Sequence, residues 1–342
     1  MAGSRSLLSW RLVRLPLLIG AFCLGFWVRG RYVAPDPVAP MMVMASAGEP
    51  SKQEADTELN VLRRQVAEQR GLLRPKALVQ PQTVDEMLAL QPARFPVGDW
   101  TAPELGVFED CWFETTDGVR LHGWYHAAPK AQRAVVFLHG NAGHVAIWSR
   151  AAVNFAWATR SSVLLVDYRG YGRSEGRPTF DGMIRDGQAA RDYLALRLKR
   201  PASDIILVGQ SMGGAIAVQI AAADGAKALI LDRTFSSFRE VAKSHFHSAL
   251  VNALVADRLQ SAKVLSRFRG PVLITHGESD EVIPFMQGQA LFAAANEPKR
   301  FVSLGPIGHN DPQPPTYWVE LKAFLDEHVP IASEADSMQG SR

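Results

Sequence analysis

The stretch Leu207-Val208-Gly209-Gln210-Ser211-Met212-Gly213-Gly214 decides how the rest of the chain is interpreted. It follows apolar β-forming residues that begin at Ile205, and it leads into an alanine-rich run, 215–223, that favours a helix. A Gly-x-Ser-x-Gly sequence between a buried strand and a helix is typical of a sharp turn that strains its central residue and exposes the serine hydroxyl at the end of the sheet. The stretch therefore predicts that Ser211 is a nucleophile.

This hypothesis requires a general base, an acid that orients the base, and an oxyanion hole, because a serine hydroxyl is a weak nucleophile at neutral pH. His309 lies in a loop after the last predicted strand, and we predict that it is the base. Asp280 lies in the loop after the preceding strand, and we predict that its carboxylate accepts the ring N–H of the base. Asp232, at the end of the strand before that, is the alternative acid, and Glu278 is a less well placed rival.

The oxyanion hole needs two backbone N–H groups that point at one oxygen atom. The first is expected from Met212, the residue after the nucleophile. The second is expected from the loop 139–143 (HGNAG), where we predict Asn141, with Ala142 as the alternative. Small residues in this loop permit the close backbone approach that such a donor needs. His139 is interpreted as a structural histidine that bonds the loop.

From about residue 106 the chain alternates strand and helix patterns, which is typical of a mainly parallel sheet with helices on both faces. The pair Asp117-Gly118 predicts a β-hairpin between the first two strands. The eight predicted strands span 107–115, 119–127, 134–138, 163–168, 205–209, 228–231, 272–275 and 301–304. The predicted helices that separate them span 145–158, 182–198, 212–223, 285–295 and 316–328. The nucleophile thus follows the fifth strand, at the sheet edge where such folds bind ligands.

One sizeable insertion, residues 233–270, lies between the sixth and seventh predicted strands, at the same end as the predicted site. It is helix-prone and rich in apolar residues, which leaves two interpretations open: a small lid that favours an apolar acyl group, and helices packed against the sheet. The glycine-rich loop after the fourth strand is interpreted as a structural turn that flanks the active site, with Arg169 and Tyr171 as candidate wall residues. His144 is expected at the start of the next helix, as a surface or rim residue.

The composition of the chain is that of an ordinary globular protein, with 342 residues, 47% of them hydrophobic, and a formal net charge of +3. Five arginines and no acidic residue lie within residues 1–31, which leaves 32 basic against 34 acidic residues in the remainder. The basic excess therefore belongs to the N-terminus and does not indicate a nucleic-acid-binding surface on the folded domain. Two cysteines, Cys23 and Cys111, do not make a disulfide framework.

Residues 15–28 (LPLLIGAFCLGFWV) form an apolar segment with arginine on both sides. The segment is short for a membrane-spanning helix, which needs about 20 residues, and its length fits the apolar part of a signal peptide. We predict an uncleaved signal anchor or, alternatively, a cleaved signal peptide over 1–31, then a linker and stalk helix over 32–80. The catalytic domain is expected over 81–330, and a disordered tail over 331–342. The domain is accordingly predicted to lie outside the cytoplasm, either anchored to a membrane or secreted or periplasmic after cleavage.

Residues from about 80 to 330 resemble the α/β-hydrolase-domain (abhydrolase) serine hydrolases. The resemblance rests on the stretches 139–143, 167–176, 209–213 and 276–284 and on the pair Gly308-His309. It points to the small-lid branch that contains membrane-associated depalmitoylase-like and lysophospholipase-like members. It implies an eight-stranded, mostly parallel α/β-hydrolase sheet with a small helical lid, and it implies Ser211, Asp280 and His309 as the catalytic triad.

We therefore expect a hydrolase that uses neither a metal nor a cofactor and cleaves ester or thioester bonds of small-molecule or lipid-like acyl substrates. A serine peptidase or aminopeptidase on the same fold is one alternative, made less attractive by the lack of a propeller or large cap. A catalytically dead, membrane-tethered binding module is another, and the complete set of predicted site residues weighs against it. A dehalogenase is disfavoured because Ser211 stands where that chemistry needs an aspartate.

Overall fold

The computed structural model describes residues 82–98, 100, 107–129 and 131–331. The predicted anchor, linker and stalk over 1–80, and all but the first residue of the predicted tail, lie outside this part of the chain. Within the described ranges, no helix has both the length and the apolar character that crossing a membrane requires. The membrane anchor and the location of the protein therefore stay predictions.

The described elements alternate between strands and helices along most of the chain. The strands are β1 (Gln91–Pro92), β2 (Glu109–Glu114), β3 (Arg120–His126), β4 (Arg133–Leu138), β5 (Ala142–Gly143), β6 (Ser161–Val166), β7 (Ile205–Gln210), β8 (Leu229–Asp232), β9 (Val272–His276) and β10 (Lys299–Ser303). The helices are α1 (Val84–Ala89), α2 (Val145–Thr159), α3 (Phe180–Arg197), α4 (Met212–Asp224), α5 (Phe238–His245), α6 (Ser248–Leu254), α7 (Ser261–Leu265), α8 (Phe285–Ala294) and α9 (Pro315–His328), with a 3₁₀ turn at Ala202–Asp204.

Eight strands form one sheet in the order β10-β9-β8-β7-β4-β6-β3-β2. The strand β3 runs antiparallel to both of its neighbours, and the other pairs are parallel. Every predicted strand forms, with its ends shifted by at most two residues, so the prediction of a mostly parallel α/β sheet is confirmed. The strands β1 and β5, which were not predicted from the sequence, pair in parallel as a separate two-stranded sheet.

The central strands are covered on both faces, and every residue of β4 and β6 is buried. Side chains alternate along β4, because successive residues of a strand point to opposite faces. Val136 and Leu138 belong to the core that includes α3 and α4, whereas Val135 and Phe137 belong to the core that includes α2 and α9. This double coverage explains why residues 134–138 of β4 and 163–166 of β6 are apolar throughout and do not alternate between polar and apolar residues.

One part of the insertion 233–270 packs against the sheet layer and another part forms a wall of the site, so each of the two interpretations applies to part of it. Its last part packs against the sheet layer: α7 lies against α4, and Leu259, Leu265 and Phe268 are buried in the core. Its middle part, α6, leaves Leu250 partly exposed to solvent. Its first part, which contains α5, lies beside the nucleophile and is described with the site below.

Candidate active site

The turn between β7 and α4 holds Ser211 in a strained backbone conformation, with φ 54° and ψ −123°. Residues other than glycine rarely adopt a positive φ, and such strain is concentrated at functional sites. Glycines permit the tight packing of this turn. A Cβ on Gly213 would lie 2.0 Å from the carbonyl oxygen of Leu138, and one on Gly209 would lie 2.4 Å from the carbonyl oxygen of Gly213. The strand, turn and helix thus form in the predicted order, with the serine at the carboxyl end of β7.

His309 lies in the loop after β10, and its ring bridges two predicted site residues. Its Nε2 is 3.1 Å from Ser211 Oγ, and its Nδ1 is 2.7 Å from Asp280 Oδ2. An ionised carboxylate only accepts hydrogen bonds, so Nδ1 carries the proton and donates to Asp280. The neutral ring then has its Nε2 lone pair directed at the serine hydroxyl, which is the arrangement that proton removal from that hydroxyl requires.

The side chain of Asp280 is completely buried, and both oxygens of its carboxylate accept hydrogen bonds. Its Oδ1 accepts from the backbone N–H groups of Val282 at 2.9 Å and Ile283 at 2.7 Å. The Nε2 of His276 lies 2.8 Å from the carbonyl oxygen of Ile283 and 3.4 Å from Asp280 Oδ2. Burial alone would raise the pKa of Asp280, but the hydrogen bonds from His276 and His309 outweigh it and hold the pKa below its usual range. The group is therefore ionised at neutral pH.

The acid loop (277–283) and the base loop (305–311) approach each other closely, which explains why their side chains meet. A Cβ on Gly277 would lie 2.2 Å from the carbonyl oxygen of Ile307, so a side chain there would push the loops apart. The backbone N–H of Ser279 donates to the same carbonyl oxygen at 3.2 Å. Glycine at position 277 is therefore required for the close approach of the two loops, which brings Asp280 to His309.

The two rival acids bond to other partners. Asp232 accepts from Thr275 Oγ1 at 2.7 Å through its Oδ1 and from Gln313 Nε2 at 2.7 Å through its Oδ2. Glu278 accepts from Ser303 Oγ at 2.6 Å. The structure brings the predicted acid to the base and leaves these two carboxylates engaged elsewhere.

Arg233 supports the base loop, a role that was not predicted from the sequence. Its guanidinium is 1% exposed, and Nη1 donates to the carbonyl oxygens of Gly308 at 3.0 Å, His309 at 2.8 Å and Asp311 at 2.8 Å. Its Nε lies 3.4 Å from the carboxylate of Asp232. In the sequence, Arg233 simply follows Asp232 at the end of a predicted strand. This local pattern does not indicate that the side chain of Arg233 reaches a loop some 75 positions away.

Both predicted oxyanion donors line one pocket with the nucleophile. Met212 is the first residue of α4, so its N–H has no acceptor within the helix. The side chain of Asn141 is occupied in holding its own loop: Nδ2 donates to the carbonyl oxygen of Ala89, and Oδ1 accepts from the N–H of Gln91 at 3.2 Å and the hydroxyl of Tyr171 at 3.1 Å. Only the backbone of Asn141 is therefore available for the predicted role.

The pocket beside the nucleophile is small, and most of its wall is apolar. It is lined by Ala89, Gln91, Asn141, Ser211, Met212, Phe235, Phe238, Val241 and Ile283. Phe238 and Val241 belong to α5, so the first part of the insertion forms a wall of the site. In the described ranges, no group of three or more His, Cys, Asp or Glu side chains is arranged to hold a metal ion.

Two histidines next to the site are buried inside the protein. His139 donates from Nδ1 to the carbonyl oxygen of Gly140 at 2.7 Å, as expected of a structural histidine, and burial lowers its pKa to about 4. His144 is the N-cap of α2 and contacts the carbonyl oxygen of Val97. The prediction that His144 lies at the surface is wrong, because its ring is completely buried.

The two residues expected in the pocket wall have structural contacts instead. Arg169 is buried and binds Asp117 and Asp186, with an N–O distance of 2.9 Å to Asp117 and 2.8 Å to Asp186. Tyr171 is completely buried and does not line the pocket, but its hydroxyl donates to Asn141 Oδ1 at 3.1 Å. The expectation that these side chains line the pocket is therefore wrong.

The sequence of this chain is similar to those of known hydrolase-family proteins. A family profile described as "Alpha/beta hydrolase family" matches residues 135–338. An uncharacterised protein of Mycobacterium tuberculosis is 38% identical over 202 residues, which cover 58% of this chain and 72% of that protein. The alpha/beta hydrolase domain-containing protein WAV2 of Arabidopsis thaliana is 30% identical over 254 residues, which cover 68% of this chain and 82% of that protein.

Solved structures show the same fold. The esterase Pf2001 of Pyrococcus furiosus superposes with a TM-score of 0.59 at 20% identity, over 70% of this chain and 99% of that one. The family profile spans more than half of the chain and includes Ser211, Asp280 and His309. Together with the sheet order and the strained turn after β7, these similarities show that the chain belongs to the alpha/beta hydrolase family.

Proposed function

We propose that this protein is a serine hydrolase that cleaves carboxylic ester or thioester bonds through an acyl-enzyme intermediate. The observation that carries the proposal is the unbroken hydrogen-bonded series from Ser211 through His309 to Asp280, which opens into an apolar pocket. A serine, a neutral histidine and an ionised carboxylate in this order form the arrangement that activates a hydroxyl for attack on a carbonyl carbon.

In the first half of the reaction, Ser211 Oγ attacks the carbonyl carbon while its proton passes to His309 Nε2. The carboxylate of Asp280 stabilises the imidazolium through the Nδ1–H hydrogen bond. The tetrahedral oxyanion accepts hydrogen bonds from the N–H groups of Met212 and Asn141. When the intermediate collapses, the bond to the leaving alkoxide or thiolate breaks, and the leaving group takes the proton from His309.

In the second half, a water molecule replaces the leaving group. His309 removes one proton from the water, whose oxygen attacks the acyl carbon of the ester formed on Ser211. Collapse of the second tetrahedral intermediate returns the proton to Ser211 Oγ and releases the carboxylic acid. The enzyme is thereby restored to its starting state.

The lining of the pocket favours an uncharged acyl group as the part of the substrate that binds there. None of its nine lining side chains carries a charge, and Phe235, Phe238 and Ile283 supply apolar surface beside the nucleophile. Transfer of an apolar acyl chain from water to this pocket is favourable. A charged group in the pocket would lose its hydration without gaining a partner of opposite charge.

The proposal is tested by labelling the purified protein with a fluorophosphonate probe, which reacts with an activated serine. We expect labelling of wild type and of the control variant Ser266→Ala, in which an exposed serine is removed. Ser211→Ala should not be labelled, and its hydrolysis of p-nitrophenyl butyrate should fall by roughly 10³-fold or more.

Two results would contradict the proposal. A folded wild-type protein that is neither labelled nor active would favour a binding module without catalysis. Labelling of Ser211 with turnover of aminoacyl anilides but not of acyl esters would favour a peptidase.

A further inference from the structure

The wall of the pocket includes a segment that precedes the family match. Ala89 and Gln91, at the junction of α1 and β1, line the pocket together with Ser211, whereas the family profile begins at residue 135. The α1–β1 segment (84–92) thus lies outside the part of the chain that the family profile matches, yet it contributes residues to the pocket.

Buried acidic side chains fix α1 to the catalytic domain. The carboxylate of Glu86 is 1% exposed, and its Oε1 accepts from the N–H of Phe180 at 2.8 Å and from Arg258 Nη1 at 2.9 Å. Asp85 Oδ2 accepts from the N–H of Ala256 at 3.0 Å. One helix is therefore fastened both to the start of α3 and to the insertion that supplies the other apolar wall.

Asn141 fixes the other end of the segment. Its side chain bonds the carbonyl oxygen of Ala89 and the N–H of Gln91, and Gln91 is the register partner of Ala142 in the β1–β5 pair. The two pocket-lining residues of the segment are therefore held by the loop that carries the predicted oxyanion donor. A wall held at both ends cannot move aside easily, so its side chains limit the space beside the nucleophile.

We propose that the α1–β1 segment sets the length of the acyl group that the site accepts, with Ala89 as the specificity-determining residue. This inference rests on the proposed function. Ala89 is 5% exposed and is one of the residues that line the pocket, and its methyl group is the smallest side chain among them, so it takes up the least space beside an acyl chain. A larger side chain at this position occupies that space and excludes the distal carbons of a long acyl group.

The experiment compares Ala89→Leu with wild type on p-nitrophenyl acetate, butyrate and octanoate, using the full chain. We expect the ratio of kcat/KM for octanoate to that for acetate to fall by about tenfold or more, because one methylene in an apolar pocket already changes kcat/KM by roughly tenfold. Met87→Leu is the matched control, since Met87 lies on the same helix but is 55% exposed. Its ratio should equal that of wild type.

A second variant covers the case in which Ala89→Leu does not fold, as judged by its circular dichroism. Ala89→Val adds less volume, and we expect it to lower the same ratio by a few-fold. An unchanged ratio in a folded Ala89 variant overturns the inference, as does an equal change in the Met87→Leu control.

Fluorophosphonate labelling of the same preparations separates this failure from failure of the proposed function. Labelled Ser211 with an unchanged ratio overturns only the role of the segment. Wild-type protein that is neither labelled nor active on any of the three esters overturns the proposed function and this inference with it.

Discussion

Asp232 and Asp280 lie at the carboxyl ends of neighbouring strands of the same sheet and are almost equally buried, at 2% and 5% exposure, yet they have different partners. Asp280 accepts from the base, His309, at 2.7 Å. Asp232 accepts from Thr275 and Gln313 and lies 3.4 Å from the guanidinium of Arg233. Burial and position at the sheet edge therefore do not decide which carboxylate can orient the base.

The difference arises from how far each carboxylate lies beyond its strand. Asp232 is the last residue of β8 and is the register partner of Thr275 on β9, so its side chain bonds within the sheet. Asp280 lies in the acid loop beyond the end of β9 at His276, and Gly277 allows that loop to reach the base loop. Proximity to the base comes from the loop and not from the strand.

The largest expected effect comes from exchanging the two carboxylates for amides. Asp280→Asn should lower kcat/KM for p-nitrophenyl butyrate by about 10⁴-fold, because an amide does not stabilise the imidazolium and favours the wrong ring tautomer. Asp232→Asn preserves the shape of a side chain that does not contact the base, so we expect kcat/KM to fall by less than about tenfold. Steady-state kinetics on both variants measures the comparison.

This pair of variants can reverse the assignment. If Asp232→Asn lost as much activity as Asp280→Asn while both melted within a few degrees of wild type, Asp232 would be the functional acid. Fluorophosphonate labelling rates serve as a control that does not depend on the ester chosen, because the probe also requires an activated serine.

The sequence predicted those parts of the site that depend on local patterns and chain order. The turn at Ser211 is encoded within a few residues, and the order of strands places Asp280 and His309 at the same sheet edge. Arg233 and Ala89 were not predicted because their contacts involve loops about 75 and 50 positions away, and no local pattern encodes such a distance. His144 was misplaced because its burial depends on a contact with Val97 that its own helix does not reveal.

A smaller effect is expected from Arg233, which stands next to Asp232 but acts on the base loop. Arg233→Lys keeps the charge, but it removes both the Nη1 that donates to the three carbonyl oxygens and the Nε that lies 3.4 Å from the carboxylate of Asp232, and the shorter ammonium cannot take both positions. We expect kcat to fall by about 10–100-fold with little change in KM, because a shifted His309 affects the reacting geometry more than substrate binding. Kinetics and melting temperature are measured together.

Arg239→Lys is the matched control for this prediction. Arg239 also donates to a backbone carbonyl, that of Val255, but it does so away from the base loop. Equal losses of kcat in the two variants, or an Arg233→Lys variant that loses only thermal stability, would mean that Arg233 does not position the base.

The smallest expected effect concerns stability and pH. The pKa of Asp280 is held below its usual range in the folded protein, since the hydrogen bonds from His276 and His309 outweigh the cost of burial. A carboxyl group with a depressed folded pKa contributes stability above its unfolded pKa, near 3.9, and loses that contribution as the pH falls through the folded value. Asp280→Asn removes this contribution, so wild type should exceed the variant in unfolding free energy by about 1–2 kcal/mol at pH 7, and the gap should narrow towards pH 2. Urea unfolding at several pH values measures the gap. A gap that stayed constant down to pH 2 would show that the hydrogen bonds to the ionised Asp280 carboxylate do not stabilise the folded protein.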